Sequence, residues 1–187
     1  MIAGGSAGFN CPYNSSMRVT GYVGLGSNLG DREAHLRAGF AGMIRRGLPP
    51  EAISSVWETE AVGTSEPAWF LNMVARIGTG LTPEAVLERL LEVEAEAGRV
   101  RTFRNAPRVL DLDLLLLGDH RREGEGLVLP HPRTWERRFV LAPLEEIAPG
   151  LVHPASGRTV REELAALLDP HAVRKVGALA LPGWRPV

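Results

Sequence analysis

The run VLDLDLLLL from Val109 to Leu117 constrains the fold more than any other part of the chain, because it suits a strand with two unlike faces. Side chains alternate across a strand at about 3.3 Å per residue, so Asp111 and Asp113 share one face, roughly 6.6 Å apart along the backbone. Leu110, Leu112, Leu114 and Leu116 take the other. If that face is buried it needs a cation, since a buried carboxylate is costly unless neutralised. Immediately upstream, Arg99, Arg101, Arg104 and Arg108 crowd a Pro-containing loop. A lone D-x-D also marks a solvated strand face or carboxylates ion-paired with a nearby arginine. Beside four arginines it reads equally as a Mg²⁺ site, where the ion shares carboxylates with substrate phosphates and the arginines hold the same polyphosphate.

The segments around this run set its context. Arg18–Leu25 reads as a strand, followed by the turn-rich Gly26–Asp31 and a helix over Arg32–Arg46 that Asp31 can cap. Ala52–Ala61 reads as a second strand and Trp69–Ile77 as a third. Thr82 and Pro83 start a second helix that Gly98 stops. The acid strand then completes a β-α-β-β-α-β order, the pattern of an α+β, ferredoxin-like sandwich with two helices on one face of an antiparallel sheet. Gly118–Gly126 reads as a hairpin tip, Leu127–Leu129 as a short returning strand, and further helical segments end the chain. No linker divides it, so residues 17–187 are expected to form a single domain. Met17 directly precedes the first apolar pattern; residues 1–16 are expected to be a disordered extension, with Met17 the natural start.

Composition narrows the function classes. With 187 residues, 44% hydrophobic and 23% charged, the chain can bury a sizeable core. A net charge of −1 argues against a general nucleic-acid or membrane binder, which needs a basic surface. Cys11 is the only cysteine, which excludes an internal disulfide and fits a reducing compartment. No stretch near the start is apolar enough for a signal sequence or membrane span, and a cytoplasmic monomer is expected.

Other residues carry two readings each. Gly24 to Gly30 resembles a dinucleotide fingerprint, but the third glycine is misplaced, and a tight turn is the better reading. His131 lies beside Arg133, Arg137 and Arg138 and suits either a phosphate contact or a turn. Phe70 and Phe139, taken singly, read as core aromatics. Asn72 shares a strand face with Phe70; if buried, its amide needs partners that a heterocyclic ligand can supply.

Taken together, GLGSNLGDR, SSVWETEAVG, FLNMVARI, EVEAEAGRVR, APRVLDLDLLL and LPHPRTWERRFVLAPLEEIAP, in this order across about Tyr22 to Gly157, resemble the 6-hydroxymethyl-7,8-dihydropterin pyrophosphokinase family of folate biosynthesis. The resemblance implies a ferredoxin-like fold and transfer of pyrophosphate from ATP to the pterin hydroxymethyl group, giving AMP. It implies that Asp111 and Asp113 bind two Mg²⁺ ions, Asp111 also facing the pterin, and that Arg99 and Arg108 clamp the transferring group. On the nucleotide side it implies Glu94, Arg101, His131 and Arg137. For the pterin it implies a sandwich between Phe70 and Phe139, with Asn72 and the backbone near Thr59 and Val62 reading its edge. Ala106, Asn105 and Gly126 depart from the family pattern at glycine, tryptophan and basic positions respectively. Two alternatives stay open at this point: another Mg-dependent phosphoryl or nucleotidyl transferase, and a non-catalytic ligand-binding module of the same fold.

Overall fold

The computed structural model describes residues 18–60, 69–98 and 108–185. Its elements are β1 (Val19–Ser27), α1 (Arg32–Arg45), β2 (Pro50–Ile53), β3 (Val56–Glu60), β4 (Trp69–Thr79), α2 (Pro83–Glu96), β5 (Asp111–Leu117), β6 (Arg122–Gly124), β7 (Leu127–Leu129), α3 (Arg138–Ile147), α4 (Val160–Ala166) and β8 (Val173–Gly177). The first two helices start where their caps predict: Asp31 accepts from the Ala34 N–H at 2.9 Å and Thr82 from the Ala85 N–H at 3.3 Å. Gly98, at φ +83°, ends α2 in the left-handed conformation that favours glycine.

The large antiparallel sheet runs β5-β1-β4-β3-β8, with β2 also paired to β4, and its first four strands give the ferredoxin-like order. The leucine face of β5 meets α1 and α2. Leu110, Leu112 and Leu114 pack there with Leu36, Met43 and Leu90, and each such burial stabilises the fold by about 1.5–3 kcal/mol. The opposite face carries a second core, in which Tyr22, Val74 and Leu115 pack against Leu141 and Leu144 of α3. Among the described residues no helix is long and apolar enough to cross a membrane.

Four expectations are corrected. The Ala52–Ala61 strand is two strands, interrupted at buried Ser54, whose Oγ accepts the Val74 N–H at 2.9 Å and donates to the Ser55 carbonyl at 2.7 Å. Leu116 packs on the acid side of β5, because the β1–β5 register shifts between Tyr22 and Val23 and the bulge breaks the alternation. The 118–126 connection is no bare tip: β6 lies in it and pairs with β7 as a separate two-stranded sheet. Finally, β8 adds an edge strand beside β3, after which the chain crosses to the α1 side, where Trp184 meets Phe40 edge-on with ring centroids 5.4 Å apart. The expected extension over residues 1–16 lies outside the described residues.

Candidate active site

The register of three strands assembles the site. Gly26 of β1 stands opposite Asn72 of β4 on one side and Asp111 of β5 on the other, while Gly24 stands opposite Asp113. The strand glycines mark a close approach. A Cβ built on Gly26 would sit 2.9 Å from Asn72 Oδ1 and 3.9 Å from Asp111 Cβ, so only glycine leaves the floor clear there. A cavity opens above this floor. Arg108, Asp111 and Asp113 line one part of it, and Thr59, Phe70 and Asn72 another. The start of α3 forms the facing wall with Arg137 and Phe139.

The acids are held from behind. Glu94 of α2 is 2% exposed, and its Oε1 accepts the N–H of Leu112, the residue between the two aspartates, at 2.7 Å. Arg108 reaches Asp111 Oδ2 from Nη1 at 2.5 Å. Its backbone is clamped by Asn28, whose Oδ1 accepts the Arg108 N–H at 2.6 Å and whose N–H donates to the Arg108 carbonyl at 3.1 Å. Buried Ser27 adds a bond from Oγ to the Val109 carbonyl at 2.6 Å. The turn-rich loop after β1 therefore fixes the entry to the acid strand.

Electrostatics single out Asp113. Burial, and next the Asp111 carboxylate, push its carboxyl above the ordinary value, while His131, Arg108 and Arg137 oppose the shift. Burial likewise lowers His131, against the pull of Asp113, and lowers Arg137, with Arg133 adding to the effect. His131 donates its backbone N–H to the Leu115 carbonyl at 2.8 Å, and its Nδ1 accepts from the Arg133 N–H at 3.3 Å. The Arg137 guanidinium lies 5.2 Å from the centre of the Phe139 ring. Across the cavity, Asn72 Nδ2 donates to Thr59 Oγ1 at 2.7 Å.

Two close carboxylates, one of them pushed toward protonation, form a hard oxygen donor set that suits Mg²⁺. Among the described residues no third histidine, cysteine or carboxylate completes a cage, and Mg²⁺ commonly takes its remaining ligands from water and substrate phosphate. Of the expected site residues, Thr59, Phe70, Asn72, Arg108, Asp111, Asp113, Arg137 and Phe139 share the cavity. Glu94 supports it from below, and His131 feels the charge of Asp113. Arg99, Arg101 and Val62 lie outside the described residues. Sequence reasoning misses Gly26 and Asn28; a glycine within an apolar strand pattern is the available signal for the first, and Asn28 has none beyond its turn.

Fold and site define a ferredoxin-like domain with an acid-and-arginine cleft roofed by the helix α3. Comparison with known proteins makes this more specific. Residues 22–149 match the family described as 7,8-dihydro-6-hydroxymethylpterin-pyrophosphokinase (HPPK), and the chain belongs to it. It is 42% identical over 148 residues to the 2-amino-4-hydroxy-6-hydroxymethyldihydropteridine pyrophosphokinase of Bacillus subtilis, covering 79% of this chain and 89% of that one. It is 45% identical over 156 residues to the protein of the same name from Methylorubrum extorquens, covering 83% and 97%. A solved Plasmodium falciparum HPPK-DHPS has the same fold, with a TM-score of 0.64 at 12% identity over 80% of this chain. The chain spans only 45% of that protein's length.

Proposed function

We propose that this protein transfers pyrophosphate from ATP to 6-hydroxymethyl-7,8-dihydropterin, giving AMP and the pterin diphosphate in folate biosynthesis. Family membership supports the reaction. The observation that carries the reading to these residues is the shared cavity in which Asp111, Asp113 and Arg108 face Asn72 and Phe139.

In this reading the pterin ring lies between Phe70 and Phe139, and Asn72, with the backbone near Thr59 and Val62, reads its edge. Stacking adds roughly 0.5–1.5 kcal/mol per ring pair beyond burial. The hydroxymethyl oxygen attacks the β-phosphorus and gives up its proton to water, the bond from that phosphorus to the α,β-bridging oxygen breaks, and AMP leaves. Asp111 and Asp113 would hold two Mg²⁺ ions, which when bound neutralise charge on the phosphates. Arg99 and Arg108 clamp the moving group through planar forks suited to phosphate oxygens. Glu94, Arg101, His131 and Arg137 form the nucleotide side. We further propose that the enzyme works as a cytoplasmic monomer, with no nucleic-acid or membrane partner.

Phosphorus NMR of ATP, Mg²⁺ and the reduced pterin with the enzyme is expected to show a diphosphate ester appearing together with AMP. ADP with a pterin monophosphate would overturn the assignment. A second expectation follows from the cavity floor. Gly26→Ala places a methyl group against Asn72 Oδ1 and should weaken pterin binding by about tenfold, the effect of one misplaced methyl-sized group in a pocket, while ATP binding changes little. Calorimetric titration of each ligand checks it, and equal losses for both would remove Gly26 from the pterin floor.

A further inference from the structure

The chain beyond α4 lies outside the family match, which ends at residue 149, yet it ties together two walls of the cavity. Asp169, with a side chain only 9% exposed, is the junction. Its Oδ2 accepts the backbone N–H of Arg138 at 2.9 Å, at the first residue of α3, where Arg137 supplies no side-chain cap. Its Oδ1 accepts the His171 N–H at 3.0 Å and faces His171 Nδ1 at 2.5 Å. Arg138 answers by donating from Nη2 to the Leu167 carbonyl at 2.9 Å. Just beyond, the Ala172 carbonyl accepts the Glu60 N–H at 3.1 Å, and Val173 stands opposite Thr59 in the β3–β8 ladder. A few residues thus run from the helix start bearing Arg137 and Phe139 to the strand end bearing Thr59.

We propose that residues 167–173 form a brace that sets the width of the substrate cleft, with Asp169 as its positioning residue. The first N–H groups of a helix have no partner within it, and a carboxylate there both satisfies one and complements the helix dipole. Without Asp169 the first turn of α3 frays, and Phe139 is the second residue of that turn. At the far end of α3, Glu146 accepts from Ser55 N at 2.9 Å and Trp57 Nε1 at 2.8 Å, so the body of the helix stays docked and the loss is local to the cleft. The proposal rests on the pyrophosphokinase reading for the identity of the ligand.

The test compares Asp169→Ala and Asp169→Asn in the full chain by steady-state kinetics, thermal melting and amide hydrogen exchange. D169A is expected to raise the pterin KM by about tenfold, the scale of one lost cap, with kcat changed by less than about twofold. D169N keeps a carbonyl oxygen for the Arg138 N–H and should recover most of that loss. A pterin KM unchanged in D169A, or D169N as impaired as D169A, would overturn the proposal. Should D169A fail to fold, Asp169→Glu carries the same comparison, since the carboxylate remains but is displaced by one methylene; an unchanged pterin KM there overturns the brace. Absence of pterin-dependent AMP from the unaltered enzyme would instead defeat the underlying reading. The brace would then still be judged by exchange at Arg138 and Phe139, expected to be faster in D169A, and unchanged exchange would overturn it.

Discussion

Asp113→Asn is expected to lower turnover on the order of 10³-fold while the protein remains folded and, free of metal, melts at a higher temperature than the unaltered chain at pH 7. Both effects follow from one environment. Burial and Asp111 raise the Asp113 carboxyl above its ordinary value, so between that value and the raised one the folded chain holds a proton that the unfolded chain has released. Stability contributed by this group therefore falls as pH rises through that interval. Asparagine carries no charge and removes the penalty, so its advantage should vanish below the ordinary carboxylate range. Added Mg²⁺ should raise the melting temperature of the unaltered protein and leave that of D113N nearly unmoved. Near-normal turnover in D113N at limiting Mg²⁺ would end the metal assignment.

Arg108→Ala should cost about 10²–10³ in kcat with a much smaller change in the pterin KM, because in the proposed reaction its guanidinium meets charge on the moving phosphates and not the pterin ring. Its backbone is fixed by Asn28 irrespective of the side chain, so the loop should keep its course. Arg108→Lys retains the charge but not the bidentate fork and should recover only part of the loss. Steady-state kinetics with both substrates varied decide it. An intact kcat in R108A would exclude Arg108 from the transition-state clamp.

That Asp113 and Arg108 come together in one cavity is legible in the amino-acid sequence, and so is much of the frame, for local reasons. Asp31, Thr82 and Gly98 announce helix ends because caps and stops are made within a few residues. The Asp/Leu alternation announces a two-faced strand in the same way. What escapes depends on partners distant in sequence. The interruption at Ser54 exists because its hydroxyl meets Val74, and the turn of Leu116 to the acid side comes from a register shift against β1. Strand β8, VRKVG, has no apolar stripe to betray it, because it is an edge strand held mainly by its ladder to β3 and by ion pairs such as Arg174 to Glu58. Asp169 looks like an ordinary turn residue until α3 arrives beside it.

The bulged strand β5 keeps two inheritances apart. From Leu110, just before the strand, to Leu114, the even-numbered residues answer to α1 and α2, and Asp111 and Asp113 to the cleft. Random substitutions along it should accordingly sort into two populations that barely overlap. Changes at Leu110, Leu112 or Leu114 would reduce the amount of protein recovered but leave the specific activity of the surviving molecules intact. Changes at Asp111 or Asp113 would not lower yield but would silence the molecules that are made. Beyond the bulge the pattern dissolves: Leu115 and Leu116 pack beneath α3, the same helix that carries Phe139, and lesions there should erode yield and substrate affinity together.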